Sequence, residues 1–135
     1  MTVTQSVAVR PLVLIMDDEE NIRRAMRSYL DRHGYIALEA DSVDRAVEAM
    51  RTNVISAVIL DMHLPGTRSG LDALHELRRI PEMATVPVLI VTGSILSEQE
   101  ERHITRQRAH VVYKPEGFDT VVNFLDQLTG RDYSH

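Results

Sequence analysis

Four short polar interruptions, each directly behind an apolar run, carry the side chains that could do chemistry. They are Asp17-Asp18-Glu19-Glu20 after Leu12 to Met16, Asp61 after Ala57 to Leu60, Thr92-Gly93 after Val88 to Val91, and Lys114-Pro115 after Val111 to Tyr113. If the first and third runs are neighbouring strands, Asp17 or Asp18 meets Asp61, and like charges about 4 Å apart repel by several kcal/mol at an effective dielectric near 20. A cation must then sit among them. An all-oxygen donor set suits a hard divalent ion, Mg²⁺ first and Mn²⁺ second, which keeps several waters and expects a phosphate. The charges of Asp17, Asp18, Asp61, one Mg²⁺ and Lys114 then sum to zero. In such a site Asp61 is the candidate acceptor of a phosphoryl group as an acyl phosphate, while the Thr92 hydroxyl and the Lys114 ammonium contact the equatorial oxygens. No glycine-rich phosphate loop competes, because acids stand where it would follow the first strand.

These residues need a scaffold that brings strand ends together. The chain has 135 residues, 44% hydrophobic and 26% charged, enough for one domain with a single core. It lacks cysteine, which excludes disulfides, thiolate metal sites and thiol nucleophiles. With 15 basic and 20 acidic side chains the net charge is −5, the wrong sign for gripping nucleic acid directly. Of the 15 basic residues only Lys114 is lysine, which singles out that position. No apolar stretch approaches the roughly 18 residues of a membrane span, and residues 1–10 lack a secretory apolar segment, so a cytoplasmic protein is expected.

Strands are expected at Leu12 to Met16, Tyr35 to Leu38, Ala57 to Leu60, Val88 to Val91 and Val111 to Tyr113. Between and after them run amphipathic helices marked by Ile22, Met26 and Leu30, by Val43, Ala46 and Met50, by Leu71, Leu74 and Leu77, by Ile104, and by Val121, Val122 and Leu125. Gly34 and Pro81 close the first and third helices. The alternation describes an α/β domain over residues 11–129 with a parallel sheet covered on both faces, flanked by tails 1–10 and 130–135. In such sheets the site lies outside the carboxyl ends of the strands, where all four motifs fall. The helix from Ser97 to Arg108 offers little but Ile104 to the core and should be the least firmly docked.

With these motifs in this order the sequence resembles the receiver domains of two-component response regulators, from about Leu12 to Leu128. Asp17-Asp18-Glu19-Glu20 looks like the family's acidic pair, Asp61-Met62-His63-Leu64-Pro65-Gly66 its acceptor loop, Val91-Thr92-Gly93 its switch hydroxyl, and Tyr113-Lys114-Pro115 its lysine-proline turn. The resemblance implies a flavodoxin-like doubly wound (βα)5 fold with strand order 2-1-3-4-5. It implies that a sensor histidine kinase or a histidine phosphotransfer protein donates a phosphoryl group to Asp61 in a Mg²⁺-dependent step. The ion would be held by the acidic pair, by Asp61 and by the backbone carbonyl of His63. It further implies that Thr92 moves on phosphorylation and that a downstream protein reads the face formed by the fourth helix, fifth strand and fifth helix, with no direct contact to nucleic acid or membrane. A homodimer stays open.

The departures from the family pattern bear on read-out. Val111 stands where receivers usually carry the Tyr or Phe of their aromatic switch, so that switch is absent or replaced. Taken singly, each motif also has a plain structural reading: acids at a helix start, a turn before Pro65, a solvated lysine. Arg23, Arg24 and Arg27 read as the solvated face of the first helix. The six histidines, His33, His63, His75, His103, His110 and His135, show no metal-ligand spacing. The rival readings are a receiver-like binding scaffold without phosphorylation switching, a receiver fragment of a larger regulator or hybrid kinase, and a Mg²⁺-dependent phosphatase. The last is least favoured, because His63 occupies the position where a second Asp would be needed.

Overall fold

The computed structural model describes residues 10–17, 19–62, 69–113 and 117–130. Five strands, β1 (Leu12–Met16), β2 (Ile36–Ala40), β3 (Ala57–Asp61), β4 (Val88–Thr92) and β5 (Ala109–Tyr113), alternate with five helices. These are α1 (Glu20–Arg32), α2 (Val43–Thr52), α3 (Gly70–Arg79), α4 (Glu98–Arg106) and α5 (Phe118–Thr129), and a single 3₁₀ turn at Pro81–Met83 precedes β4. All strand pairs are parallel and the sheet order is β2-β1-β3-β4-β5, the flavodoxin-like arrangement.

Strand parity divides the interior in two. Leu14, Met16, Val58, Leu60, Val88 and Ile90 face one side of the sheet and pack against α2 and α3, with Ile104 of α4. Val13, Ile15, Ile59, Leu89, Val91 and Val112 face the other, against Met26 and Leu30 of α1 and Val121 and Leu125 of α5. Each such aliphatic side chain contributes about 1.5–3 kcal/mol by leaving water. β3 and β4 are buried at every position, which is why they read as unbroken apolar runs. The edge strands are half exposed, and there the sequence signal is weaker. β2 starts one residue later than expected and reaches Ala40, and β5 begins two residues earlier, at Ala109.

Local signals set the helix ends. Ser42, Ser69 and Ser97 cap α2, α3 and α4, the last two as full capping boxes with Asp72 and Glu100. Gly34 ends α1 with φ 89, a conformation that suits glycine. Of α4 only Ile104 is buried, as its composition predicts.

One buried hydroxyl ties the second strand to the last helix. Tyr35 is fully buried, and its OH donates to Asp126 Oδ1 at 2.5 Å and lies 3.4 Å from Thr129 Oγ1. Tyr35→Phe leaves the Asp126 carboxylate short of that donor. It is expected to cost about 1–3 kcal/mol, read as a lower urea midpoint at unchanged slope.

Candidate functional site

In the observed order the winding reverses between β1 and β3, so the crevice at their carboxyl ends is where a ligand should bind. The register there pairs Met16 with Leu60, which brings Asp17 and Asp61 to adjacent positions one residue further on. Both carboxylate residues are 5% exposed, and Thr92, at the end of β4, is fully buried. Apart from the Tyr35 hydroxyl, these three carry the buried polar side chains among the described residues. Asp17 and Asp61 share the mouth of a cavity of about 360 Å³ whose body is apolar, formed by residues such as Ile59, Val91, Val112 and Val121.

The local folding explains each placement. Asp17 leaves β1 and bends into α1: its Oδ1 accepts the Glu19 amide at 2.8 Å, while its carbonyl accepts Arg23 Nη1 at 2.6 Å. Asp61 closes β3, and Met62 beside it donates its amide to Val91 O on β4 at 3.2 Å. Gly70, the first residue of α3, donates to Met62 O at 2.8 Å. A Cβ on Gly70 would lie 2.5 Å from Asp61 O and 2.8 Å from Met62 Cα, so α3 begins in backbone contact with the end of β3. In the sequence Gly70 follows Pro65 and Gly66 and by that pattern marks only a loop.

Asp61 pairs with Val91, which puts Thr92 one step beyond it and on the opposite strand parity. The Thr92 hydroxyl accepts the Ser94 amide at 3.1 Å, closing the turn that leads toward α4. Val111 is partly buried against the cluster that contains Ile104 and has no ring to reorient. The aromatic beside Thr92 is Tyr113, its register partner on β5, which is 40% exposed.

Asp17, Asp61, Thr92 and Val111 are thus at or beside the carboxyl rim, whereas Asp18, His63 and Lys114 lie outside the described residues. Among the described residues no group of three or more His, Cys, Asp or Glu side chains could hold a metal ion. The described part of the rim supplies two buried carboxylates, an oxygen-only set of the kind a hard divalent cation takes. Sequence reasoning missed Arg23. Its side chain is only 12% exposed and also meets Glu39 Oε1 of β2 at 3.3 Å, whereas Arg24 and Arg27 are 70% and 58% exposed. The expected solvated face is real for two of the three arginines. A stripe of arginines on an amphipathic helix carries no mark of which one folds inward.

The sequence profile of the response regulator receiver domain matches residues 13–126, and the chain belongs to that family. Receiver domains are signalling domains that interact with sensor kinases and are generally not classical enzymes. The transcriptional regulatory protein KdpE of Mycobacterium tuberculosis is 34% identical over 117 residues, which cover 87% of this chain and 49% of that protein. The autoinducer 1 sensor kinase/phosphatase LuxN of Vibrio harveyi is 28% identical over 121 residues, 90% of this chain and 13% of that protein. Among solved structures, a response regulator receiver protein from Pseudomonas putida superposes with a TM-score of 0.80 at 26% identity, covering 90% of this chain and 99% of that one. The chain spans about half the length of curated relatives such as KdpE. No described helix is long and apolar enough to cross a membrane.

Proposed function

We propose that this receiver accepts a phosphoryl group on Asp61 from a histidine kinase or a histidine phosphotransfer protein. The observation that carries the reading is the burial of Asp17, Asp61 and Thr92 together at one sheet rim. Burying two neighbouring carboxylates is costly unless positive charge offsets them. A bound Mg²⁺ supplies that charge and neutralises the oxygens of the transferring group. Asp17, Asp18, Asp61 and the carbonyl of His63 would hold the ion, with Mn²⁺ as its substitute. One Asp61 carboxylate oxygen forms the new O–P bond as the donor's N–P bond breaks, leaving a neutral imidazole on the donor. Lys114 and Thr92 would contact the phosphoryl oxygens. For Thr92 this means redirecting its O–H from Ser94 O, 3.5 Å away, which couples the acceptor to the turn leading toward α4.

The unit is residues 11–129, with the flanking residues as tails, and the signal leaves through a downstream protein seated on the α4-β5-α5 face, in the cytoplasm and without direct contact to nucleic acid. A second reading, a receiver segment of a larger regulator or hybrid kinase, is favoured by the partial coverage of KdpE and LuxN. The packed Val111, which lacks a ring, favours a third, a scaffold that does not switch.

Incubation with acetyl phosphate and Mg²⁺, or with beryllofluoride and Mg²⁺, tests the proposal. The wild-type chain is expected to gain one phosphoryl mass and to shift amide resonances around Asp61, Thr92 and Ser94. Asp61→Asn is expected to lose both responses. A wild-type chain without an Asp61-dependent adduct or shift would refute it.

A further inference from the structure

We infer that Arg23 is a positioning residue for the metal-binding end of β1. The inference rests on the Mg²⁺-dependent reading above and goes beyond it, because Arg23 is not a ligand and touches no phosphoryl group. Its guanidinium donates from Nη1 to the Asp17 carbonyl at 2.6 Å and from Nε to Glu39 Oε1 at 3.3 Å. Asp17 is therefore held from two sides. The Glu19 amide fixes its carboxylate and Arg23 fixes its carbonyl. The carbonyl lies one residue past the end of β1, and a long, charged side chain from α1 donates to it.

Glu39 makes the clamp stiff. It sits on β2 opposite Ile15, half-buried on the α1 face, and accepts Arg27 Nη1 at 3.2 Å as well as Arg23. Arg27 shares the Glu39 end of this network but has no bond to Asp17. The pair thus separates general anchoring of α1 on β2 from orientation of Asp17. Outer-shell groups of this type commonly change metal affinity by about 10–100-fold when removed.

Charge and geometry make opposite predictions. If Arg23 acted only as a nearby cation, removing it would tighten Mg²⁺ binding by relieving repulsion. If it holds Asp17, removing it weakens binding.

The experiment is a titration of the full chain with Mg²⁺ alone, followed by amide resonances, the Glu19 amide among them. Arg23→Ala is expected to weaken Mg²⁺ binding about tenfold and to shift the Glu19 amide in the metal-free protein. Arg27→Ala is expected to stay within about twofold of wild type, because it cuts the Glu39 bridge without touching Asp17. Arg23→Lys keeps the charge and is expected to fall between wild type and Arg23→Ala, which keeps the test valid if the alanine variant folds poorly. Unchanged or tighter binding by Arg23→Ala, or an equal loss in Arg27→Ala, would overturn the inference while leaving the acceptor reading intact. Asp61→Asn serves as the control for that reading: if it binds Mg²⁺ as well as wild type does, or wild type binds none, the reading and the inference fall together.

Discussion

Gly70→Ala is expected to lower stability by about 1–3 kcal/mol and to slow phosphorylation of Asp61 by far more than that loss explains. The added methyl group would meet Asp61 O at 2.5 Å and Met62 Cα at 2.8 Å, and neither is the movable end of a side chain. Either α3 backs away and loses the 2.8 Å bond from Gly70 N to Met62 O, or the end of β3 shifts with its carboxylate. A displacement of about 1 Å at a reacting group costs on the order of 100-fold in rate. Urea unfolding alongside the acetyl phosphate reaction checks both effects. A wild-type rate in a destabilised protein would mean that α3 alone absorbs the strain.

Arg78→Met is expected to be the second large loss, about 2–3 kcal/mol. From the C-terminal turn of α3, Arg78 donates to the carbonyls of Gln107, Met83, Val86 and Arg108 at 2.8, 2.8, 2.6 and 3.3 Å. The turn before β4 and the turn between α4 and β5 thereby share one cation. Burial and the neighbouring Arg108 guanidinium both lower its pKa, so the charge is held against an electrostatic cost that the carbonyl dipoles offset. Methionine fills similar space but leaves those acceptors without their shared donor. Arg108, in a left-handed turn with φ 58, contributes its own bond to Ala84 O at 2.6 Å, which is expected to keep the segment partly tied in the variant. Hydrogen exchange is expected to rise at Met83 to Val86 and at Gln107 to Ala109 before it rises in β3. Arg78→Lys should recover little, since one ammonium cannot reach four carbonyls in two chain segments.

How much of this was legible in the sequence follows from the range of the interactions. The sheet could be read because buried parallel strands exclude polar residues on both faces, and the rim could be read because such runs stop at polar side chains. Asp17, Asp61 and Thr92 were singled out that way, and all three are buried. Gly70, Arg23 and Arg78 were not. Each acts through backbone outside its own helix, at Asp17 for Arg23, at Asp61 and Met62 for Gly70 and at Gln107 for Arg78, and locally each looks ordinary: a loop glycine and two helix arginines among fourteen. The strand-end signal depends on what the next residue is, whereas these roles depend on where another segment arrives. The bounds of the edge strands shifted for a related reason, since β5 mixes partly buried and exposed positions and its first residues, Ala109 and His110, carry no apolar run.

The shallow seating of α4 bears on how such proteins diverge. Glu98, Gln99, Glu101, Arg102 and Thr105 are exposed and Ile104 alone anchors the helix, so exchanging those outward residues leaves folding free energy nearly untouched. Duplicated copies could keep one chemistry and drift apart in whom they address. With the read-out face proposed above, insulation between parallel pathways would arise on this helix at almost no energetic penalty, while the interior stays under the full constraint of close packing.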